Sequence, residues 1–218
     1  MNDGVTVRRF SQACVATSPL DPEEPDASVE LSRAELNLVS TGATPRRRGE
    51  LSAGRKAAAL AFDALAVGGR PSVLSDDAGR PRLVPPGEWH VSLAHDGLLA
   101  AAAVARTPIG IDLIDLQRLG QLTRVVRDRI VTGRAVGLVG DFAAHPAPLL
   151  LWSAWEALGK QTGGGVLSGP MQALIEPRVD EEGQATASVG NSRLRWWLDD
   201  HHFFCLATTR DESGPAVR

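Results

Sequence analysis

The stretch PIGIDLID, residues 108–115, sets one carboxylate inside an apolar run. Side chains alternate along a strand, so Ile109, Ile111 and Leu113 share one face, while Gly110, Asp112 and Ile114 share the other. A carboxylate buried on such a strand must be paired, hydrogen-bonded or bound to a cation. Bonds from neighbouring backbone amides would make Asp112 structural; a second acid facing it would make it a ligand. The candidate second acid lies in LLLWSAWEALGKQ. There Trp152, Trp155, Glu156, Gly159 and Lys160 fall at i, i+3, i+4, i+7 and i+8, so Glu156 and Lys160 share one helix face. They form either a surface ion pair or a site that the two tryptophans draw toward the core. Two carboxylates meeting across a cleft need a cation between them. With no His or Cys beside them, Mg²⁺ is favoured over zinc.

Arg47, Arg48, Arg55 and Lys56 crowd the first half of a helix expected over 46–66. Cations there oppose the helix dipole by about a few tenths of a kcal/mol each. They are either a solvated face or a cradle for phosphate, which the guanidinium fork suits. His95 stands at a strand end in Ala94-His95-Asp96-Gly97, where a histidine is more often structural than catalytic. A serine hydrolase built on Ser92, His95 and Asp112 is disfavoured, because no G-x-S-x-G turn is present and no oxyanion hole is evident.

The positioning elements read as a mixture of helices and strands. Residues 5–15 favour strand, and the proline- and acid-rich 18–26 form a loop. A helix is expected over 28–40, with Leu31, Leu36, Leu38 and Val39 on its apolar side. Gly79-Arg80-Pro81 ends a hairpin, and 90–93 with 98–104 are adjacent strands around an Asp-Gly turn. Residues 116–142 read as two short helices with a glycine-loosened joint. A firmer helix then runs to Gln161 and stops at Gly163-Gly164-Gly165. Residues 172–175, 193–198 and 203–209 read as strands, and 212–218 as a frayed tail.

With 218 residues, 43% of them hydrophobic and 22% charged, the chain can bury a substantial core as one large or two small domains. A net charge of −3 gives no global attraction to nucleic acid. Cys14 and Cys205 have no metal-ligand spacing and read as buried small hydrophobes. The N-terminus lacks a signal-peptide apolar region and no run reaches the ~20 apolar residues of a membrane span, so a cytoplasmic location is expected.

Taken in order, HVSLAHDG, IGIDLIDL and WSAWEALGKQTGGGVL resemble the 4′-phosphopantetheinyl transferases, whose motifs run S-x-S-H, G-I-D-x-E and W-x-x-K-E-x-x-x-K. RRRGELSAGR, residues 46–55, resembles the basic helix start of the siderophore- and surfactin-synthetase-activating branch. Gly79-Arg80-Pro81 resembles the family's G-K/R-P loop. The resemblance covers roughly residues 40–210. It implies an α+β fold of two pseudo-symmetric halves with a cleft between them: 1–107 on the nucleotide side, 108–210 carrying metal and catalytic helix, and 211–218 as tail. It implies transfer of the phosphopantetheine arm of coenzyme A to a serine of an acyl or peptidyl carrier protein, with Mg²⁺ held by Asp112 and Glu156. Arg47, Arg55, Arg80 and His95 would contact the nucleotide and its 3′-phosphate, and Lys160 the pyrophosphate. Glu156, Lys160 and His95 would be the catalytic set. No nucleic-acid or membrane partner is implied, and two fused halves make a monomer sufficient.

Three positions depart from the pattern. The second acid of G-I-D-x-E is Ile114, the Lys before the Glu is Trp155, and an acid expected in the following segment falls near Gly133-Arg134. Asp115 cannot replace Ile114 unless a bulge turns it to the other face. These changes allow two further readings: a repurposed enzyme acting on a carrier-bound or CoA-bound acyl thioester, such as a cyclase or acyl transferase, or a non-catalytic carrier-docking protein.

Overall fold

A computed structural model describes residues 5–20, 31–40, 44–118, 147–164, 178–179 and 185–210. The strands expected over 172–175, the helices over 119–142, the tail 211–218 and Arg134 lie outside these residues.

The chain opens with β1 (Val7–Arg9) and β2 (Ala13–Pro19), followed by α1 (Arg33–Ser40) and α2 (Pro45–Ala64). α1 begins later than its apolar pattern predicts, because Ser32 caps it. Glu35 N donates to Ser32 Oγ, and Ser32 N donates to Glu35 Oε2, a reciprocal box that satisfies two helix-end donors. Glu35 Oε1 also accepts Val73 N at 2.8 Å, which ties α1 to the next ribbon. Thr44 caps α2, with Pro45 in its first turn, where a missing N–H costs nothing.

β3 (Ser72–Ser75) and β4 (Pro81–Val84) form a separate two-stranded ribbon. β5 (His90–Asp96) and β6 (Leu99–Ala105) are a hairpin turning at Gly97, whose φ of 62° needs glycine's freedom. β5 runs three residues further than the sequence predicts, so His95 lies within a paired strand opposite Ala100. β7 (Ile109–Asp115) leads into a short 3₁₀ turn, and α3 (Ala147–Thr162) returns across it. β8 (Arg178–Val179), β9 (Ala185–Val189), β10 (Ser192–Asp199) and β11 (His202–Thr209) complete the fold.

All strand pairings among the described residues are antiparallel, and the architecture is α+β. One sheet has the order β1-β2-β6-β5, the other β7-β11-β10-β9-β8. Each contains a strand, a helix and then a hairpin whose second strand pairs back to the first: β2-β6-β5 in one, β7-β11-β10 in the other. The same local plan thus occurs twice.

Alternation sorts side chains into three cores. Ala13, Val15, Ala101, Ala103 and Ala105 of the first sheet meet Ile109, Ile111, Leu113, Phe204, Leu206 and Trp197 of the second. The alanines of β6 leave room for these larger partners, so the facing sides interlock by size. On the outer side of the first sheet, Cys14, Ala16, Ala102 and Val104 pack on Ala57, Ala58, Ala61 and Phe62 of α2. On the outer side of the second, Leu194, Trp196, Cys205 and Ala207 pack on α3. Both cysteines are free and buried.

Candidate active site

The two edge strands β5 and β7 meet at the seam between the sheets, where side chains replace backbone pairing. Ile111 N donates to Ser92 Oγ at 3.1 Å, Asp115 N donates to Asp96 Oδ2, and Leu113 N donates to the Asp112 carboxylate. These bonds satisfy buried edge amides that would otherwise lack partners. Ser92 and Asp96 face β7, so the intervening His95 is turned the other way, toward α2.

On the α3 side of β7, Asp112 is 7% exposed. Lys160 Nζ donates to Asp112 Oδ1 at 3.0 Å and to the Ile111 carbonyl oxygen at 2.9 Å. Burial pushes the Asp112 carboxyl above its ordinary range, against the charge and hydrogen bond of Lys160 and the Leu113 amide. Beneath it, Cys205 stands directly across the ladder from Asp112. Burial, reinforced by Asp112, pushes that thiol well up, so it is no nucleophile. Ser153, fully buried, accepts from Trp196 Nε1. α3 can lie this close because residue 110 is glycine: a Cβ there would stand 1.8 Å from the Ala157 carbonyl oxygen.

β7 runs in unbroken register with β11 from Ile109 to Asp115, so no bulge turns Asp115 toward Asp112. Ile114 shares the Asp112 face and is buried. Glu156 lies half-buried on α3, one turn before Lys160. Trp155 is 3% exposed and packs in the core with Leu151, Leu194 and Trp196. The indole fills the interior, because on this helix it faces the sheet.

On the α2 side, a cavity of about 150 Å³ is lined by Arg47, Glu50, Arg55, Ser75, Gly79 and His95, among others. It brings together three of the expected phosphate-binding residues. Glu50, which the sequence reading passed over, pairs with Arg47 and Arg46. Burial alone would raise its carboxyl, but Arg47, His95 and Arg46 hold it below the usual range. Its signal was its place three and four residues after two arginines on one helix face. His95 titrates below an ordinary histidine because partial burial and the charges of Arg47, Lys160 and Arg46 outweigh the pull of Glu50.

Arg55 and Lys56 are buried, not outside as the helix pattern predicts. Arg55 Nε donates to the Val73 carbonyl and Nη2 to Ser75 Oγ, so this guanidinium also anchors the β3–β4 ribbon while lining the cavity. Arg80 is exposed at the ribbon's turn. It donates to Asp76 Oδ2 at 2.8 Å and to the Gly163 carbonyl at 3.0 Å, reaching from the ribbon to the end of α3.

Residues 34–105 match the family model of the 4′-phosphopantetheinyl transferase N-terminal domain. They run from α1 through β6 and carry Arg47, Glu50, Arg55, Arg80 and His95, while Asp112, Glu156 and Lys160 lie beyond. The match covers about a third of the chain and supports the phosphopantetheinyl transferase superfamily. No curated protein matches the chain significantly.

Enzymes of the phosphopantetheinyl transferase kind imply a divalent cation. Among the described residues no three His, Cys, Asp or Glu gather as a metal-binding group. Asp112 and Glu156 nonetheless supply hard oxygen donors, which suit Mg²⁺, an ion that keeps several waters and shares phosphate oxygens. Asp112 Oδ1 is held by Lys160 here, so that lysine would have to leave before Asp112 could bind an ion. No helix among the described residues is long and apolar enough to cross a membrane.

Proposed function

We propose that the chain transfers the 4′-phosphopantetheine arm of coenzyme A to a serine of an acyl or peptidyl carrier protein. The observation that carries this reading is the cavity of Arg47, Arg55 and His95, built by the stretch that matches the transferase N-terminal domain.

In this reading Arg47, Arg55 and His95 hold the nucleotide and its 3′-phosphate, with Arg80 at the rim. Lys160, already at the β7 edge, moves onto the pyrophosphate. Asp112 and Glu156 would hold Mg²⁺, which when bound would neutralise pyrophosphate charge. Glu156 takes the proton of the carrier serine. The serine Oγ forms its bond to the β-phosphorus, the bond from that phosphorus to the bridging oxygen breaks, and 3′,5′-ADP leaves. Catalysis is alignment of two reactants and neutralisation of developing charge. The branch that activates siderophore and surfactin synthetases, a cytoplasmic location, the halves 1–107 and 108–210, and a monomeric state belong to the same proposal.

The reading as a repurposed acyl-thioester enzyme rests on Ile114, buried on the Asp112 face, and on Trp155, the residue before Glu156. Incubation with coenzyme A, Mg²⁺ and apo carrier proteins, followed by intact-mass measurement of the carrier, tests the proposal. One added phosphopantetheine arm, lost with EDTA, is the expected result. An unchanged carrier mass, with a known transferase succeeding in parallel, overturns it.

A further inference from the structure

Three basic side chains converge on one carboxylate at the cavity. Glu50 Oε1 accepts from Arg46 Nε at 3.2 Å and Oε2 from Arg47 Nη1 at 2.9 Å, while His95 Nε2 lies 3.6 Å from the same Oε2. Glu50 is 9% exposed, whereas Arg46 and Arg47 keep more than half of their side chains in solvent. An acid in a cavity proposed to receive phosphate opposes the ligand's charge unless it serves the cations beside it. Arg47 Nη1 is 3.4 Å from His95 Nε2, within reach to donate to the neutral ring, and once the ring is protonated the two positive groups need an anion touching both.

We infer that Glu50 is a positioning residue that holds Arg47 beside His95, so that the two grip a terminal phosphate as a pair. The inference rests on the proposed function, in which the cavity receives the 3′-phosphate of coenzyme A. A free arginine must be ordered when ligand arrives; one tethered to a buried carboxylate is ordered beforehand, and that cost leaves the binding step. Nη1 is engaged by Glu50, and the other N–H groups of the guanidinium fork remain donors for an oxyanion. The carboxylate also favours a protonated His95, against partial burial and against Arg47 and Arg46 of α2 and Lys160 of α3. A ligand ending in a phosphate monoester gains from both groups. One that lacks this phosphate gains little, so Glu50 contributes selectivity.

The test is calorimetric titration of coenzyme A and of 3′-dephospho-coenzyme A into the wild type, Glu50→Gln and Glu50→Asp, with NMR titration of the His95 ring. Glu50→Gln is expected to weaken coenzyme A by about tenfold, the worth of one charge-assisted hydrogen bond. Binding of the 3′-dephospho form should be nearly unchanged, and the His95 midpoint should fall. Glu50→Asp keeps the charge but withdraws it, and should lose selectivity while preserving the midpoint better. Equal weakening of both ligands, or tighter binding of coenzyme A, overturns the inference. Failure of the wild type to bind coenzyme A refutes the proposed function instead; the ring titration then decides, and an unmoved His95 midpoint overturns the hold of Glu50 on it.

Discussion

Lys160 reaches from the last turn of α3 to Asp112 in the middle of β7, 3.0 Å between Nζ and Oδ1, and bonds the Ile111 carbonyl as well. The pair is unequal, because the carboxylate is enclosed while the ammonium remains partly in solvent. Removing the cation strands a buried anion; removing the anion lets the lysine turn outward. Lys160→Ala should therefore cost about 2–4 kcal/mol, and Asp112→Asn within about 1 kcal/mol. Urea denaturation of both variants checks the order, and equal losses would contradict it. In the proposed transferase, Asp112→Asn also abolishes carrier modification.

Gly110 admits the α3 backbone. Since any Cβ would overlap the Ala157 carbonyl, helix and strand must separate in Gly110→Ala. The expected cost is about 3 kcal/mol or more, as for overpacking that no side-chain rotation relieves. A thermal melt within a degree or two of wild type would show that α3 does not lie this close.

Trp155 presents the opposite case, a large side chain whose indole N–H has no hydrogen-bond partner among the described residues. Trp155→Phe removes the unsatisfied donor and should change stability by about 1 kcal/mol or less. Trp155→Lys, which restores the residue of the resembled motif, buries a cation and should cost several kcal/mol. Denaturation midpoints separate the two, and a well-folded Lys variant would place the side chain at the surface.

Protonation of His95 works against the fold. Its folded pKa lies below its unfolded value, so the unfolded chain binds protons more readily across that interval. The stability tied to this group is present above about pH 6.5 and is lost as pH falls from there. His95→Asn should lose less stability than wild type between about pH 7 and pH 5. Parallel pH–urea profiles for the two proteins would refute this.

How much of this was legible in the sequence depends on the distance over which each signal acts. Alternation along β7 was readable because it is local, and Asp112 does face away from Ile109, Ile111 and Leu113. The Glu156–Lys160 spacing placed both residues on one helix face, but the link from Lys160 to Asp112 spans 48 positions and no local pattern contains it. Arg55 reads as an outward cation on any helical wheel; only the β3–β4 ribbon packed over it makes it a buried tie. The length of β5 was underestimated because Asp96-Gly97 signals a turn without fixing where pairing stops. Ser92 was legible as a polar residue on a strand, yet its bond to Ile111 depends on two edge strands meeting.

The alternation of β5 divides one strand between two tasks. Ser92 and Asp96 hold the neighbouring sheet, while His95 forms part of the cavity wall. Substitutions at cavity-facing positions can retune what is bound without disturbing the seam. A single-residue insertion between Ser92 and Asp96 would put these two side chains on opposite faces, so this strand can accept changes of residue but not of length.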